Sequence, residues 1–502
     1  MKYLATALTL IASPTLADIT PAQLLESWHT AFNRVQIDLT IGSQALDGEV
    51  LVLHDVQLTK RNPQSPSPPL MDWVRLSPLS DGTVSIALSS VENAGATMAH
   101  PTDPDTKITT RSRYEGLEII ATGSPEKVTY NLTADRLSFD QQSSMGPFVS
   151  DMMVAVSNLS LRYSQWEGAN GNFRAEGHFA AETVAIEWQK SQDPISDPND
   201  RLVIQRGEIN LTEPSMPFEM TAPPAYFTNL DGPLQGFPEG LKMNMQLLGK
   251  QAVLHINGGN ADPGFTVDVG TSDSNIALDI GETTLRYLFD FSQIAVASNN
   301  PALSDQPLTL GIEKLLLDLS MPFRKTGSAA PFALATHLEN VEISPTVWDM
   351  VDPASVMART PASLDLQITG EATLLVDLFD PEQTNTLTGP PFHVHALSLG
   401  RLDMRLENAA LSGQGGVVLD NTIIDEATGM PEATGSINFA ITGALALLDR
   451  VGRLPNMDPM MALGAKGALG MFAAPTSEAD SFTSRIEFTN GGHISINGQQ
   501  VK

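Results

Sequence analysis

Histidines two apart on a strand share a face, so His393-Val394-His395 is the pair in this sequence best placed to hold one metal ion. A working site needs a third ligand, and none stands nearby at a metal-ligand spacing. The expectation is two surface or inter-strand histidines. Acidic clusters at Asp103-Pro104-Asp105 and over Asp193–Asp200, with Asp197 between, offer the oxygen ligands that calcium prefers. Neither carries the glycine turn and closing glutamate of a calcium loop. Gly258-Gly259-Asn260-Ala261-Asp262 matches a calcium-solenoid repeat once and loosely. Serine hydrolysis lacks its Gly-x-Ser-x-Gly elbow. Gly413-Gln414-Gly415-Gly416 lies between strands and does not continue as a dinucleotide fingerprint, and no Walker-type loop is present. Carboxylate pairs for glycoside chemistry are compatible with 58 acidic residues, since their separation is set in three dimensions. Against that chemistry, aromatics make up 6% of the chain and form no platform for a sugar. No catalytic, cofactor-binding or metal-binding residue is therefore assigned, and no cofactor is expected.

Composition bounds the setting. The 502 residues contain no cysteine, which excludes disulfides, thiolate metal sites, cysteine catalysis and lipidation of an N-terminal cysteine. A chain of this size can bury a large core without such staples. The formal charge is −29, and a surface that acidic works against nucleic acid and anionic membrane faces. Met1 to Ala17 has one lysine, a short apolar core, Pro14, and small residues at Thr15 and Ala17. That is the three-part pattern of a secretion signal, with cleavage expected before Asp18 and a periplasmic destination. The apolar run falls far short of the roughly 20 residues that cross a bilayer, and no other stretch reaches that length, so an integral membrane protein is not expected.

Period-two alternation dominates the rest. Lys127-Val128-Thr129-Tyr130-Asn131-Leu132, Leu241-Lys242-Met243-Asn244-Met245-Gln246-Leu247 and Ser363-Leu364-Asp365-Leu366-Gln367-Ile368 each put apolar side chains on one face. Gly, Asn, Asp and Pro punctuate these runs, which predicts antiparallel hairpins. The fold class expected is mainly β with a few helices: a large twisted antiparallel sheet, or two sheets closing over an apolar interior. Thr20-Pro21-Ala22-Gln23 is an N-cap and capping box, predicting a helix over 20–33 with Leu24, Leu25, Trp28 and Phe32 on one side. Ser344-Pro345 opens a second, ending at Asp352-Pro353. Ala444–Arg453 and Asp458–Phe472 read as two more, whose Gly464, Ala465, Gly467, Ala468 and Gly470 suggest close packing on the sheet. Ser-Met-Pro-Phe occurs at 215–218 and 320–323, each time after a strand-like run, as a duplication or a favoured strand exit. The proline-rich stretch Glu213–Glu239 is the best interior boundary, and Asn62–Pro69 looks like an exposed loop. The division expected is a signal peptide (1–17), an N-terminal β-rich region (18–225) and a C-terminal β-rich region with short helices (226–502), forming one elongated body.

The tail, Arg485-Ile486-Glu487-Phe488-Thr489-Asn490-Gly491-Gly492-His493-Ile494-Ser495-Ile496-Asn497-Gly498, reads as a hairpin whose Ile486, Phe488, Ile494 and Ile496 face one core. With Ala468-Leu469-Gly470-Met471-Phe472 before it, it resembles the end of the domain of unknown function 2125 family of exported alphaproteobacterial proteins. Ser344-Pro345-x-x-Trp348-Asp349-x-x-Asp352-Pro353, Arg359-x-Pro361-Ala362 and Val376-Asp377-Leu378-Phe379-Asp380-Pro381 resemble the middle of that family. Asp18-Ile19-Thr20-Pro21-Ala22-Gln23 with Trp28 resembles its opening. The family brings no catalytic residues with it. By analogy alone, the β-rich pattern is similar to AsmA-type envelope proteins, which shield lipid in a β-lined groove. The functional expectation is a non-enzymatic, envelope-associated binding or scaffold protein. Its expected partner is a hydrophobic ligand or an envelope component, and not nucleic acid. The alternative is a secreted hydrolase using a carboxylate pair. An outer-membrane barrel fits less well, because the strands are irregular in length and the last residues, Val501-Lys502, are not aromatic.

Overall fold

The structure is a computed structural model. It describes residues 19–60, 70–89, 96–97, 107–145, 148–192, 205–228, 237–258, 264–387, 389–425, 429–455 and 457–501. The signal-like segment 1–17, the loop 62–69, the acidic clusters 103–105 and 193–200, residues 259–262 of the glycine-rich motif and residues 229–236 of the proline-rich stretch lie outside the described residues.

One helix opens the chain, α1 (Pro21–Arg34), followed by β1 (Ile37–Asp47), β2 (Val50–Lys60), β3 (Leu70–Pro78), β4 (Val84–Leu88), β5 (Ala96–Thr97), β6 (Lys107–Glu115), β7 (Glu118–Ser124), β8 (Lys127–Met145) and β9 (Phe148–Glu167). Next come β10 (Phe173–Ala180), β11 (Thr183–Gln192), β12 (Gln205–Thr212), β13 (Ser215–Ala222), β14 (Lys242–Gly249), β15 (Gln251–Gly258), β16 (Phe265–Thr271) and β17 (Asp273–Ile280). Longer strands succeed them: β18 (Thr284–Asn299), β19 (Leu308–Pro322), β20 (Ala330–Ile343), α2 (Pro345–Val351), β21 (Ala362–Leu374), α3 (Pro381–Thr384), β22 (Phe392–Leu406), β23 (Ala409–Ile424) and β24 (Pro431–Thr442). The chain finishes with α4 (Ala444–Val451), α5 (Pro459–Phe472), β25 (Ala474–Pro475), β26 (Ser481–Thr489), β27 (His493–Ile496) and β28 (Gln499–Gln500). Strand accounts for 64% and helix for 13%, so the mainly-β expectation is what the structure shows.

All the strands belong to one antiparallel sheet. Midway it widens into two files. The first half of β8 pairs with β7 and the second half with β6; the two halves of β9 pair with β10 and β11. One file then runs β10–β13–β14–β17, the other β11–β12–β15–β16, and both rejoin on β18. The ladder passes through the proline-rich stretch without a break, since β13 pairs with β14 and β12 with β15.

Long strands keep one apolar face across both files by a device that period-two reading misses. Asp55 in β2, Asn158 in β9, Gln293 in β18 and Asn340 in β20 have φ of 54°, 49°, 51° and 49°. A left-handed residue inside a strand resets the alternation, and Asn and Asp tolerate that conformation best. Thus Val156 and Leu159, three apart, lie in one apolar cluster, as do Leu53 and Val56. Across from Asp55, Gly42 leaves room: a Cβ there would stand 2.9 Å from the aspartate Cβ.

The helices form where the capping signals predict. Thr20 caps α1 with a complete capping box, Ser344 caps α2 and Asp458 caps α5. Two expectations need correction. Helix α5 does not lie against the sheet through its small residues: only Ala462 is buried, with Gly452, just after α4, close by. The two Ser-Met-Pro-Phe segments are not equivalent, because the first opens β13 and the second closes β19.

Candidate functional site

Residues directly opposite each other on paired strands share a face, so the register traces lines across the sheet. One begins at Tyr130 and passes through Tyr163, Gly177, Phe218, Met245, Leu278 and Tyr287. It continues through Leu319, Leu334, Ile368, Leu399 and Gly415, and ends on Ile437, Ile486 and Ile496. All fifteen positions are apolar, aromatic or glycine. At about 4.8 Å between strands, their fourteen steps cover about 67 Å. In the second file a parallel line runs Phe139, Val154, Ile186, Ile209, Leu254, Val269, Val296, Leu310 and Ile343. Glycine at 177 is required by the neighbouring ring: a Cβ there would come within 2.4 Å of Phe218.

The opposite face is charged. Arg286 donates two hydrogen bonds to Asp318, at 2.8 and 2.7 Å, Lys314 pairs with Asp290, and Arg401 lies 3.2 Å from Asp365. The sheet is therefore amphipathic, one residue thick, with a long apolar face.

That face is closed at its start. α1 packs on β1, β2 and β3, and Leu24 and Leu25 join Leu53, Leu76, Val84 and Ala121 in a fully buried cluster. The Trp28 indole donates to the Tyr130 hydroxyl at 3.0 Å, and Tyr130 stacks on Tyr163, which stacks on Phe218. Burial raises the pKa of the Tyr130 phenol, and it pushes Tyr163 up to about 12, with the nearby Tyr130 adding to the shift. The line itself is half-buried throughout, from Tyr130, Tyr163 and Phe218 to Leu334, Ile368, Ile437 and Ile486.

The two edges of this face differ. One carries an aromatic wall: Phe237, Phe323 and Phe379 meet with ring centroids 4.9–5.9 Å apart. Arg324 holds the wall by donating to the Phe237 and Pro238 carbonyls at 2.9 and 2.7 Å. The other edge carries α2, α4 and α5. There Asp352 is buried, accepts from the Val356 and Met357 N–H groups, and is followed by Arg359, which donates to Asp349 at 2.6 Å. Burial pushes the Asp352 carboxyl up, but these two donors and Arg359 more than offset it and hold it below the usual range. Glu407, whose side chain is buried, accepts from the Ala358 N–H and pairs with Arg450 of α4 at 2.5 Å. The Trp348–Arg359 and Val376–Pro381 segments singled out in the sequence thus fasten the two edges of the sheet.

The sequence-nominated chemistry falls elsewhere. His395 lies 2.8 Å from the Thr373 hydroxyl and contacts Asn421, while His393 is exposed. Among the described residues no three metal-ligating side chains gather. Facing carboxylates do occur on the polar side. Glu187 is opposite Glu208, both exposed, beside an open depression of about 780 Å³ that also holds Arg111 and His255. Asp365 and Asp403 are likewise opposite, with Arg401 beside both. The apolar line was invisible in the sequence because it is made by register, one residue from each strand. No family model, no curated protein and no solved structure matches this chain.

Proposed function

We propose that the apolar face is a binding surface for long hydrocarbon chains, and that the protein is a non-enzymatic lipid-binding or lipid-shielding component of the cell envelope. The observation that carries this reading is the fifteen-position apolar line, half-buried along its whole length. Leaving that much apolar surface against water costs about 25 cal/mol per Å², and contiguous patches of this extent mark interaction sites. Acyl chains match it, because they need length and apolar contact without hydrogen-bond partners. The resemblance to the domain of unknown function 2125 family and the analogy to AsmA-type proteins agree with this reading, as does export directed by residues 1–17. The carboxylate-pair hydrolase is the weaker reading, since Glu187 and Glu208 lie exposed on the polar side and not in an enclosed cleft.

The test is lipid extraction and mass spectrometry of protein purified from its native envelope. Phospholipid at one or more molecules per chain is expected, and its content should fall severalfold in Leu319→Lys/Leu334→Lys. Lipid-free wild type, or equal lipid in the variant, would remove the proposal. Intact mass of the same sample should start at or near Asp18; retention of Met1–Ala17 would remove the export part alone.

A further inference from the structure

Neither apolar line carries a charged side chain. A phospholipid seated on them must therefore leave its headgroup at an edge of the face, because a buried unpaired charge is costly. Both edges are acidic. At the aromatic edge, residues 237–242, 281–284, 322–326 and 375–382 hold five carboxylates against three cations. At the helix edge, residues 345–361, 407 and 444–480 hold seven against four. Most of these cations are engaged within the protein. Lys242 pairs with Glu282 at 2.5 Å, and Arg324 donates to the carbonyls of Glu282, Phe237 and Pro238. Arg359, Arg450 and Lys466 pair with Asp349, Glu407 and Asp449. The donors to Asp377, Asp380 and Asp480, by contrast, are uncharged. They are the Lys325 backbone N–H, the Gln383 amide with two backbone N–H groups, and the Leu445 and Ala446 N–H groups. Such donors stabilise a carboxylate without neutralising it. The bond from the Gln383 side chain, with the backbone donors behind it, holds the Asp380 carboxyl below its usual range. Glu239 and Glu382, two and three residues from Phe237 and Phe379, are exposed.

We infer, on the acyl-binding reading above, that the face selects phospholipids with a zwitterionic, amine-bearing headgroup and rejects anionic ones. The ammonium of such a headgroup donates charge-assisted hydrogen bonds that these carboxylates accept. A headgroup of net negative charge brings like charge against them. Lys325 and Arg453 are included in the counts, so each edge stays net negative. The whole chain adds to the same field, with 29 basic against 58 acidic residues.

The experiment incubates the delipidated protein with vesicles of equimolar phosphatidylethanolamine and phosphatidylglycerol, reisolates it and determines the bound lipids by mass spectrometry. Phosphatidylglycerol should be depleted on the order of five-fold relative to the vesicles, the discrimination given by one unit-charge contact at about 4 Å in water. The depletion should fade at about 1 M salt, where the screening length is about 3 Å, against about 30 Å at 0.01 M. Glu239→Lys/Glu382→Lys reverses the charge of the aromatic edge at two exposed positions. It should raise the bound share of phosphatidylglycerol severalfold, with circular dichroism unchanged. A bound composition equal to that of the vesicles, enrichment of phosphatidylglycerol, a depletion indifferent to salt, or an unaltered ratio in the double variant would overturn the inference and leave acyl binding in place. Protein that takes up no lipid would overturn both.

Discussion

Tyr130 and Leu334 sit on the same transverse line of one sheet, yet their surroundings differ. Around Tyr130, α1 lies across the strands, and Leu24, Leu53, Leu76 and Val84 lose all contact with water. Around Leu334, strands of the same one-sided pattern leave Leu319, Ile368 and Leu399 half-buried. The alternation in the sequence is equivalent in both places. What differs is the layer above: an amphipathic helix converts one stretch of the face into a core, and among the described residues no helix lies across the other, which stays a surface with open apolar area.

The sharpest way to break this contrast is truncation on each side of it. Leu24→Ala should cost about 2–5 kcal/mol in urea unfolding, as a fully buried large-to-small change. Leu334→Ala should cost roughly 1 kcal/mol, in proportion to its partial burial. Equal costs would show that the open stretch is packed as tightly as the capped one. The terminal hairpin gives a smaller effect. Its register is the expected one, with Ile486 opposite Ile496 and Phe488 opposite Ile494. Phe488 is half-buried, however, and not sunk in a core. Phe488→Ala should therefore cost about 1–2 kcal/mol, less than the full-burial range, and Glu487→Ala on the polar side within about 0.5 kcal/mol. The mildest test is alkaline titration. Tyr163 titrates near 12 in the folded chain, against about 10 when unfolded. A raised folded pKa means that its contribution is whole below about pH 10 and is lost as pH climbs toward 12. Thermal melts of wild type should fall through that window, and those of Tyr163→Phe should fall less; identical profiles would show that the phenol is solvated.

Much of this fold can be read in one dimension. Thr20-Pro21-Ala22-Gln23 forms the capping box that it predicts, and the strands carry the apolar alternation that marks them. The shifts in phase are harder to see. Val154 and Val156 are even-numbered and Leu159 and Leu161 odd-numbered, and the slip falls at Asn158. A pattern that changes parity beside an Asn or Asp is the signal that would have located the seam. The candidate surface was not legible, because whether Phe218 faces Met245 depends on pairing across a loop and not on either local sequence. The α5 glycines and alanines suggested burial by composition, but Ala462 is the only residue of that helix that is buried.

The order of pairing has a consequence for how the chain assembles. From β18 to β24 each strand hydrogen-bonds to the strand just before it in sequence. Each closure is local, the longest spanning the 18 residues between β20 and β21, and closure entropy grows only slowly with loop length. A chain delivered N-terminus first can add strands one at a time onto a growing edge, with the helix-capped beginning as the seed. That edge is a hazard while growth continues, because unpaired strands recruit other chains. The α4–α5 hairpin interrupts the sequence only between β24 and β26, which pair with each other. The last described strand in sequence, β28, has two residues, a short edge for another chain to pair with.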